Sequence, residues 1–231
     1  MVDGVLFNGD MTRLIWCSLE KSGSYTIPKT VRTIDAFAFS SCNELASITL
    51  PDSITEINDG VFRNCSGLET FTIPSSVTSI GNDAFSYCYS LKSVVIPDSV
   101  SSIGGEAFSW CKGLVTVTIP SSVTVISRSL FFNCTGLTSV TIPNSVTEIG
   151  NWGFQNCSGL VSITIPSSVA SIGWGAFRGC TGLTSIVIPD SVKEIEEYAF
   201  DRCSGLKTVS IPKGLEYPSN AFPRSAKITK Y

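Results

Sequence analysis

The chain of 231 residues is built on one repeated unit of fixed length. An Ile-Pro or Leu-Pro pair recurs every 23 residues, nine times, without an insertion or a deletion. The pairs begin at residues 27, 50, 73, 96, 119, 142, 165, 188 and 211. Sequence periods of about 20 to 50 residues indicate a solenoid, in which each unit packs only on its two neighbours. The period therefore predicts one elongated stack of rungs.

Five positions of the repeat are apolar in all eight complete units. Counting from each proline, position 3 is Val or Ile, position 6 is Ile, position 11 is Phe, position 14 is Cys and position 17 is Leu. Such uniform columns are expected to face inward, because each residue must pack on an equivalent one above and below.

Spacing within the unit predicts its local structure. Residues 160–165 show the alternation of a strand with one buried face, and the proline that follows ends the strand because it lacks an amide proton. The Ser-Val-x-x-Ile segment predicts a second, shorter extended run. The Ala-Phe-x-x-Cys segment spans about one helical turn, which predicts a brief α or 3-10 piece.

The two ends depart from the repeat. Residues 1–26 contain two β-rich runs around Asn8-Gly9-Asp10, which predicts an N-terminal capping hairpin. Residues 27–212 form eight repeats of 23 residues, and residues 213–231 form a degenerate C-terminal cap without the cysteine and leucine columns. A more polar terminal unit lets a stack end without exposing its core.

The full motif Leu-x-x-Val-x-Ile-Pro-x-Ser-Val-x-x-Ile-Gly-x-x-Ala-Phe-x-x-Cys-x-x-Leu resembles the BspA-like leucine-rich repeat over residues 25–212. The resemblance implies an α/β solenoid, a leucine-rich-repeat horseshoe with a parallel concave sheet and short α, 3-10 or extended segments on the convex side. It also implies a secreted or cell-surface protein that binds host or matrix proteins. The departures from the motif are Val61, Leu130 and Gly153 for Ala, and Ser127 and Glu196 for Gly.

Composition excludes several classes of function. Charged residues make up 15% of the chain and the net charge is -3, so there is no basic stripe for nucleic acid. No apolar run approaches the about 20 residues of a membrane helix, and no leader is visible at Met1. The chain has no histidine, the commonest general base. With no phosphate loop or nucleophile motif either, we expect no enzyme, no cofactor and no membrane insertion.

The cysteine column is expected to hold free core thiols. A disulfide or a metal site would need these side chains to turn toward one another, whereas a packed column treats cysteine as a small apolar residue. Cys17 lies outside the column and is expected to be the most reactive thiol. The acidic columns are interrupted by Ser and Asn, so no calcium site and no other metal site is expected.

Two surfaces are candidate binding sites. The first is the outward side of the concave strands, which is either a solvated β face or a partner-binding sheet. Its candidate residues are Thr70, Thr72, Thr116, Thr118, Ser139, Thr141, Ser162 and Thr164.

The second surface is an aromatic strip of Trp152, Trp174 and Tyr198, which lie eight or nine residues after the prolines of three successive repeats. These rings either half-cover a turn or form an exposed hot spot for a protein or a glycan.

Together the patterns favour a non-catalytic protein-binding or adhesion module, at the cell surface or secreted. Its partner is expected to be a host, matrix or cell-surface protein. A structural spacer within a larger surface protein and a glycan-binding module are the alternatives.

Overall fold

The computed structural model describes residues 1–231 and contains 19 short β-strands and no helix. It therefore has no helix long and apolar enough to cross a membrane. The strands are β1 (Val5–Phe7), β2 (Arg13–Cys17), β3 (Gly23–Thr26), β4 (Thr33–Ile34), β5 (Leu45–Thr49), β6 (Glu56–Ile57), β7 (Thr70–Thr72), β8 (Ser79–Ile80), β9 (Ser93–Val95), β10 (Ser102–Ile103), β11 (Thr116–Thr118), β12 (Val125–Ile126), β13 (Ser139–Thr141), β14 (Glu148–Ile149), β15 (Ser171–Ile172), β16 (Ser185–Val187), β17 (Glu194–Ile195), β18 (Thr208–Ile211) and β19 (Lys227–Lys230).

Two parallel ladders run along the stack. The first joins β3, β5, β7, β9, β11 and β13, and Val117 pairs with Val94 on one side and Val140 on the other. The second consists of β6, β8 and β10, then β12, β14, β15 and β17. Both ladders pair residues that are one repeat apart, so the sequence period is the hydrogen-bonding register of the molecule.

The first ladder is interrupted at one rung. Residues 161–166 form no strand, and residues 161–165 make no backbone-to-backbone hydrogen bond. Ile163 is only partly buried there, whereas Val140 and Ile186 in the flanking rungs are buried. The strand predicted for residues 160–165 is therefore wrong at this rung, because its apolar residue is not fully drawn into the core. The ladder resumes with β16, β18 and β19.

The turn after the second ladder is not helical, so the predicted α or 3-10 piece is wrong. The amides of Trp152 and Phe154 donate to the carbonyls of Trp174 and Ala176 in the next rung, at 2.9 and 2.7 Å. The amides that alternate with these, of Gly153 and Gln155, donate to the carbonyls of Gly150 and Trp152 and so close tight turns within their own rung. A helix needs every amide bonded inside its own segment, and here every second amide serves the neighbouring repeat.

The core is one continuous cluster of 70 buried residues. Its centre is the phenylalanine column, in which rings of successive rungs stack with centroids between 5.0 and 5.9 Å apart. Phe222 extends this column into the C-terminal unit, 5.1 Å from Phe200. The inward assignment of the apolar columns is thus confirmed.

The two ends of the stack differ. At the N-terminal end, β1 and β2 pair antiparallel, and β2 continues in parallel with β4. At the C-terminal end, β19 adds a last parallel strand beside β18. Lysines at both ends of β19 put charge on this outer edge, which discourages pairing with another chain.

Candidate binding surfaces

The strand face is the outward side of the first ladder. The eight candidate residues from Thr70 to Thr164 are all exposed, because strand alternation turns the residues between them into the core. None of their hydroxyl groups hydrogen bonds within the protein, whereas Ser47 on the same face donates to Ser24 over 2.8 Å. Ser162 and Thr164 belong to the irregular segment and not to a strand.

Two valines interrupt the hydroxyl rows of the strand face. Val95 is 73% exposed and Val187 is 60% exposed. These positions hold Thr in most other rungs, and each Val there leaves most of its surface exposed. The face therefore offers unpaired hydroxyls and isolated apolar groups on a regular lattice, a composition that suits contact with another macromolecule.

The aromatic strip forms as a contiguous chain of rings. The ring centroids of Trp152 and Trp174 lie 5.5 Å apart, and those of Trp174 and Tyr198 lie 5.2 Å apart. The Arg128 guanidinium covers Trp152 at 4.7 Å from the ring centroid, and Arg178 lies between Trp174 and Tyr198 at 5.9 and 5.6 Å. All three rings are half-buried.

A second row of rings runs beside the strip. Tyr87 and Trp110 stack at 5.8 Å and 12°, and Trp110 meets the edge of Phe132 at 6.1 Å. Lys112 lies over Trp110, 4.9 Å from the ring centroid. Tyr87 and Trp110 lie at the position of the repeat that is four residues after that of Trp152 and Tyr198.

Between the two rows lies an open groove of about 430 Å³, which we call the aromatic groove. Trp152 and Trp174 line it, whereas Tyr198 lies outside it. Its lining is Tyr87, Glu106, Trp110, Arg128, Ser129, Phe132, Trp152, Gln155, Trp174 and Arg178.

The polar groups of the groove are incompletely paired. Arg178 is 3.1 Å from Asp201 in an ion pair, but Arg128 belongs to no ion pair in the protein. The Gln155 Oε1 atom is buried and has no hydrogen-bond partner. A buried acceptor without a donor is costly and calls for an explanation in any native structure.

Three of the five aromatic residues of the groove, Tyr87, Trp110 and Trp152, have a left-handed backbone. Positions 9 and 13 of every repeat adopt left-handed conformations, among them Trp152 at φ 59° and Trp110 at φ 63°. Other repeats place residues suited to this conformation there, such as Gly60 at position 9 and Asn156 at position 13. A left-handed aromatic residue costs about 1 kcal/mol or more, so folding alone does not select these rings.

The sequence predicts Trp152 and Trp174 as binding residues of this site and shows Tyr87 and Trp110 as a second aromatic column, but it does not identify the other lining residues. Arg128, Phe132, Gln155 and Arg178 occupy columns whose residue type changes from repeat to repeat. The available signal was the pair of aromatic columns four residues apart, since the residues between two such columns must line whatever space separates them.

The thiols contribute no accessible site. All nine cysteines are free and buried, and column members such as Cys157 donate to a phenylalanine carbonyl of the preceding repeat, here Phe131 at 3.2 Å. A hydrogen bond from Cys42 lowers the pKa of Cys17, but the Cys17 side chain has no exposed surface. Reactive cysteines need access as well as thiolate character, so burial argues against the expected reactivity of Cys17.

No three His, Cys, Asp or Glu side chains are arranged to hold a metal ion. The ion pairs of the surface use acidic residues outside these columns, such as Glu69 with Lys92, 2.8 Å apart. Exposed pairs of this kind contribute little to stability.

Solved structures with the same architecture come from several bacteria. A leucine-rich repeat protein of Bacteroides ovatus is 28% identical with a TM-score of 0.66, and the match covers 94% of this chain and 71% of that one. The T. pallidum leucine-rich repeat protein is 29% identical with a TM-score of 0.66, covering 87% and 86%. A leucine-rich repeat protein of Eubacterium ventriosum is 33% identical with a TM-score of 0.67, covering 76% of this chain and 48% of its own.

None of the curated proteins matches the chain. The family model for the BspA type leucine-rich repeat region matches it in six copies, over residues 15–138 and 124–231. These matches extend over most of the chain, and the repeat they describe is the rung of the solenoid seen here. The protein belongs to the BspA-type leucine-rich repeat family.

Proposed function

We propose that this protein is a non-catalytic protein-binding module that works at the cell surface or outside the cell. Members of repeat families of this kind typically bind proteins or serve as surface modules, and solenoids use their extended faces for recognition. The partner we propose is a host, matrix or cell-surface protein. The proposed contact surfaces are the strand face and the aromatic strip.

The observation that carries this proposal is the state of the strand face. The hydroxyl groups of its eight candidate residues have no partner in the protein, and Val95 and Val187 are exposed on the same face. A partner strand or loop laid across this face would supply acceptors for the hydroxyls and cover the valines. The energy would come from a few central contacts and not from the whole area.

The test is a binding screen of the intact chain against extracellular matrix proteins and cell-surface receptors. Thr118→Lys combined with Thr141→Lys places two long cations in the centre of the strand face and should weaken a genuine partner by about tenfold or more. Thr124→Lys is the control, because Thr124 is also exposed but lies outside the strand face. Loss of capture in both variants alike would show that added charge, and not the face, is responsible.

The alternative functions make different predictions. A spacer that holds another domain away from a surface would capture no partner in this screen, and a stack of nine rungs would give it a reach of about 40 Å. A glycan-binding module would respond to the aromatic rings and be insensitive to the lysine variants of the strand face.

A further inference from the structure

We propose that the aromatic groove is a docking site for an extended, proline-rich peptide segment that carries acidic residues. This inference rests on the proposed protein-binding function and names the ligand class of one of its two surfaces. It is carried by the unpaired groups in the groove, by the arrangement of its rings and by its charge.

The unpaired hydrogen-bond donors of the groove are complementary to a ligand rich in acceptors. The indole N–H groups of Trp110, Trp152 and Trp174 donate to no group of the protein, although all three rings line the groove. A polyproline II segment leaves its backbone carbonyls without internal partners, and proline itself has no amide donor. Three indole donors without a partner, on rings that line the groove, are complementary to such a row of carbonyls.

The aromatic rings of the groove do not form one flat stacking surface. Trp152 and Trp174 are inclined at 79° to each other, so one flat ligand cannot stack on both. Arg128 already covers the ring of Trp152, and Tyr87 and Trp110 lie against each other. A sugar ring would need an open aromatic face, whereas proline-rich segments dock in grooves walled by aromatic side chains.

The length of the groove fits a short segment. Its lining extends over five successive repeats, from Tyr87 to Arg178, which corresponds to about 19 Å at the strand spacing. A polyproline II helix rises about 3.1 Å per residue, so about six residues would span it.

The charge of the groove selects acidic ligands. Arg128 has no ion-pair partner. Lys112 is not part of the lining, but it lies over the ring of Trp110 and forms no ion pair. Glu106 is the one acidic residue in the lining. A glutamate or aspartate beside the prolines would pair with Arg128, which presents a planar fork suited to carboxylates.

The backbone of the repeat provides variants that remove rings without harming the fold. Trp152→Gly places at position 9 the residue that Gly60 and Gly175 supply in the same left-handed conformation. Trp110→Asn places at position 13 the residue found at Asn133 and Asn156. Both changes relieve a left-handed aromatic residue, so we expect unchanged circular dichroism spectra and thermal midpoints no lower than that of the parent chain.

The experiment is a titration of the full chain monitored by intrinsic tryptophan fluorescence, since three of its four tryptophans line the groove. The probe is a synthetic peptide of three Pro-Pro-Glu units. Gly-Gly-Glu units keep the charge and remove the polyproline II conformation, and Pro-Pro-Lys units reverse the charge. We expect saturable binding of the Pro-Pro-Glu peptide, and about tenfold or greater weakening with either control peptide or with Trp152→Gly, Trp110→Asn or Arg128→Gln.

The strand-face variant Thr118→Lys with Thr141→Lys should leave the titration unchanged. Equal binding of Gly-Gly-Glu and Pro-Pro-Glu peptides would overturn the inference, because charge alone would then explain the signal. Absence of saturation, or saturation by an acidic oligosaccharide such as oligogalacturonate but not by the peptide, would overturn it as well. If the Pro-Pro-Glu peptide does not bind while a matrix protein is still captured through the strand face, the peptide-docking inference is wrong and the proposed protein-binding function stands. If the peptide binds and no protein is captured, the proposed role of the strand face is wrong and the peptide-docking inference stands.

Discussion

Raising the pH above 9 should unfold this protein steeply, because the folded chain holds seven thiols in their protonated form. Burial raises the pKa of Cys65, Cys134 and Cys203 to about 12 from the ordinary value of 9.0. Burial raises the pKa of the other four well above that value. These four are Cys88, Cys111, Cys157 and Cys180.

The sign of the effect follows from the protons bound in each state. Above pH 9 the unfolded chain loses these protons and the folded chain keeps them, so the free energy of unfolding falls as the pH rises. Each group contributes about 1.4 kcal/mol per pH unit, and seven give about 10 kcal/mol per pH unit between pH 9 and the folded-state pKa values. A domain stability of about 5 to 15 kcal/mol would then be exhausted at about pH 9.5 to 10.5.

Urea unfolding followed by circular dichroism between pH 7 and 10.5, with a reducing agent present, measures this slope. Cys134→Ala combined with Cys157→Ala removes two of the seven groups and should reduce the slope to about 7 kcal/mol per pH unit. The double variant separates the thiols from tyrosines and lysines that titrate in the same range. A free energy of unfolding that stays constant up to pH 10.5 would refute the reasoning. A slope of about 1.4 kcal/mol per pH unit, equivalent to one proton, would mean that the rungs unfold independently.

Two further substitutions test the packing. Phe154→Ala should lower the free energy of unfolding, measured by urea denaturation, by about 3 to 5 kcal/mol, because the ring has no exposed surface. Lys230→Ala at the end of the stack should be nearly neutral. Similar losses at both positions would contradict the inward phenylalanine column. Gly136→Ala would bring a Cβ to 2.3 Å from the Lys112 carbonyl oxygen and should lower the thermal midpoint through a loss of about 1 to 3 kcal/mol, while Gly9→Ala meets nothing within 4 Å and should leave it unchanged.

The inner part of each rung could be predicted from the sequence because the same contact recurs in every repeat. Phe131 packs on Phe154 as Phe154 packs on Phe177, so a residue type that never varies reports a position inside the stack. The predicted helical turn failed for a reason that local spacing does not reveal. The amide of Phe154 finds its acceptor in Ala176, 22 residues away, and not within its own turn.

The aromatic groove was only half predictable. Trp152 and Trp174 stood out because large rings recur at one place in neighbouring repeats. Gln155 and Arg128 gave no such signal, since a position that varies between repeats carries no information about which neighbours it meets. The irregular segment at residues 161–166 was equally invisible, because its sequence keeps the alternation of the strands around it.

The constant register between rungs has a consequence for how such a protein can change over evolutionary time. The paired residues of both ladders are 23 positions apart, so the loss or duplication of one unit by recombination joins surfaces that already fit. Chain length can thus vary in whole rungs without any compensating mutation in the interior. Features confined to a single row of the strand face survive such events, whereas a site assembled from five particular rungs can be lost in one step and must arise by changes to the outer columns alone.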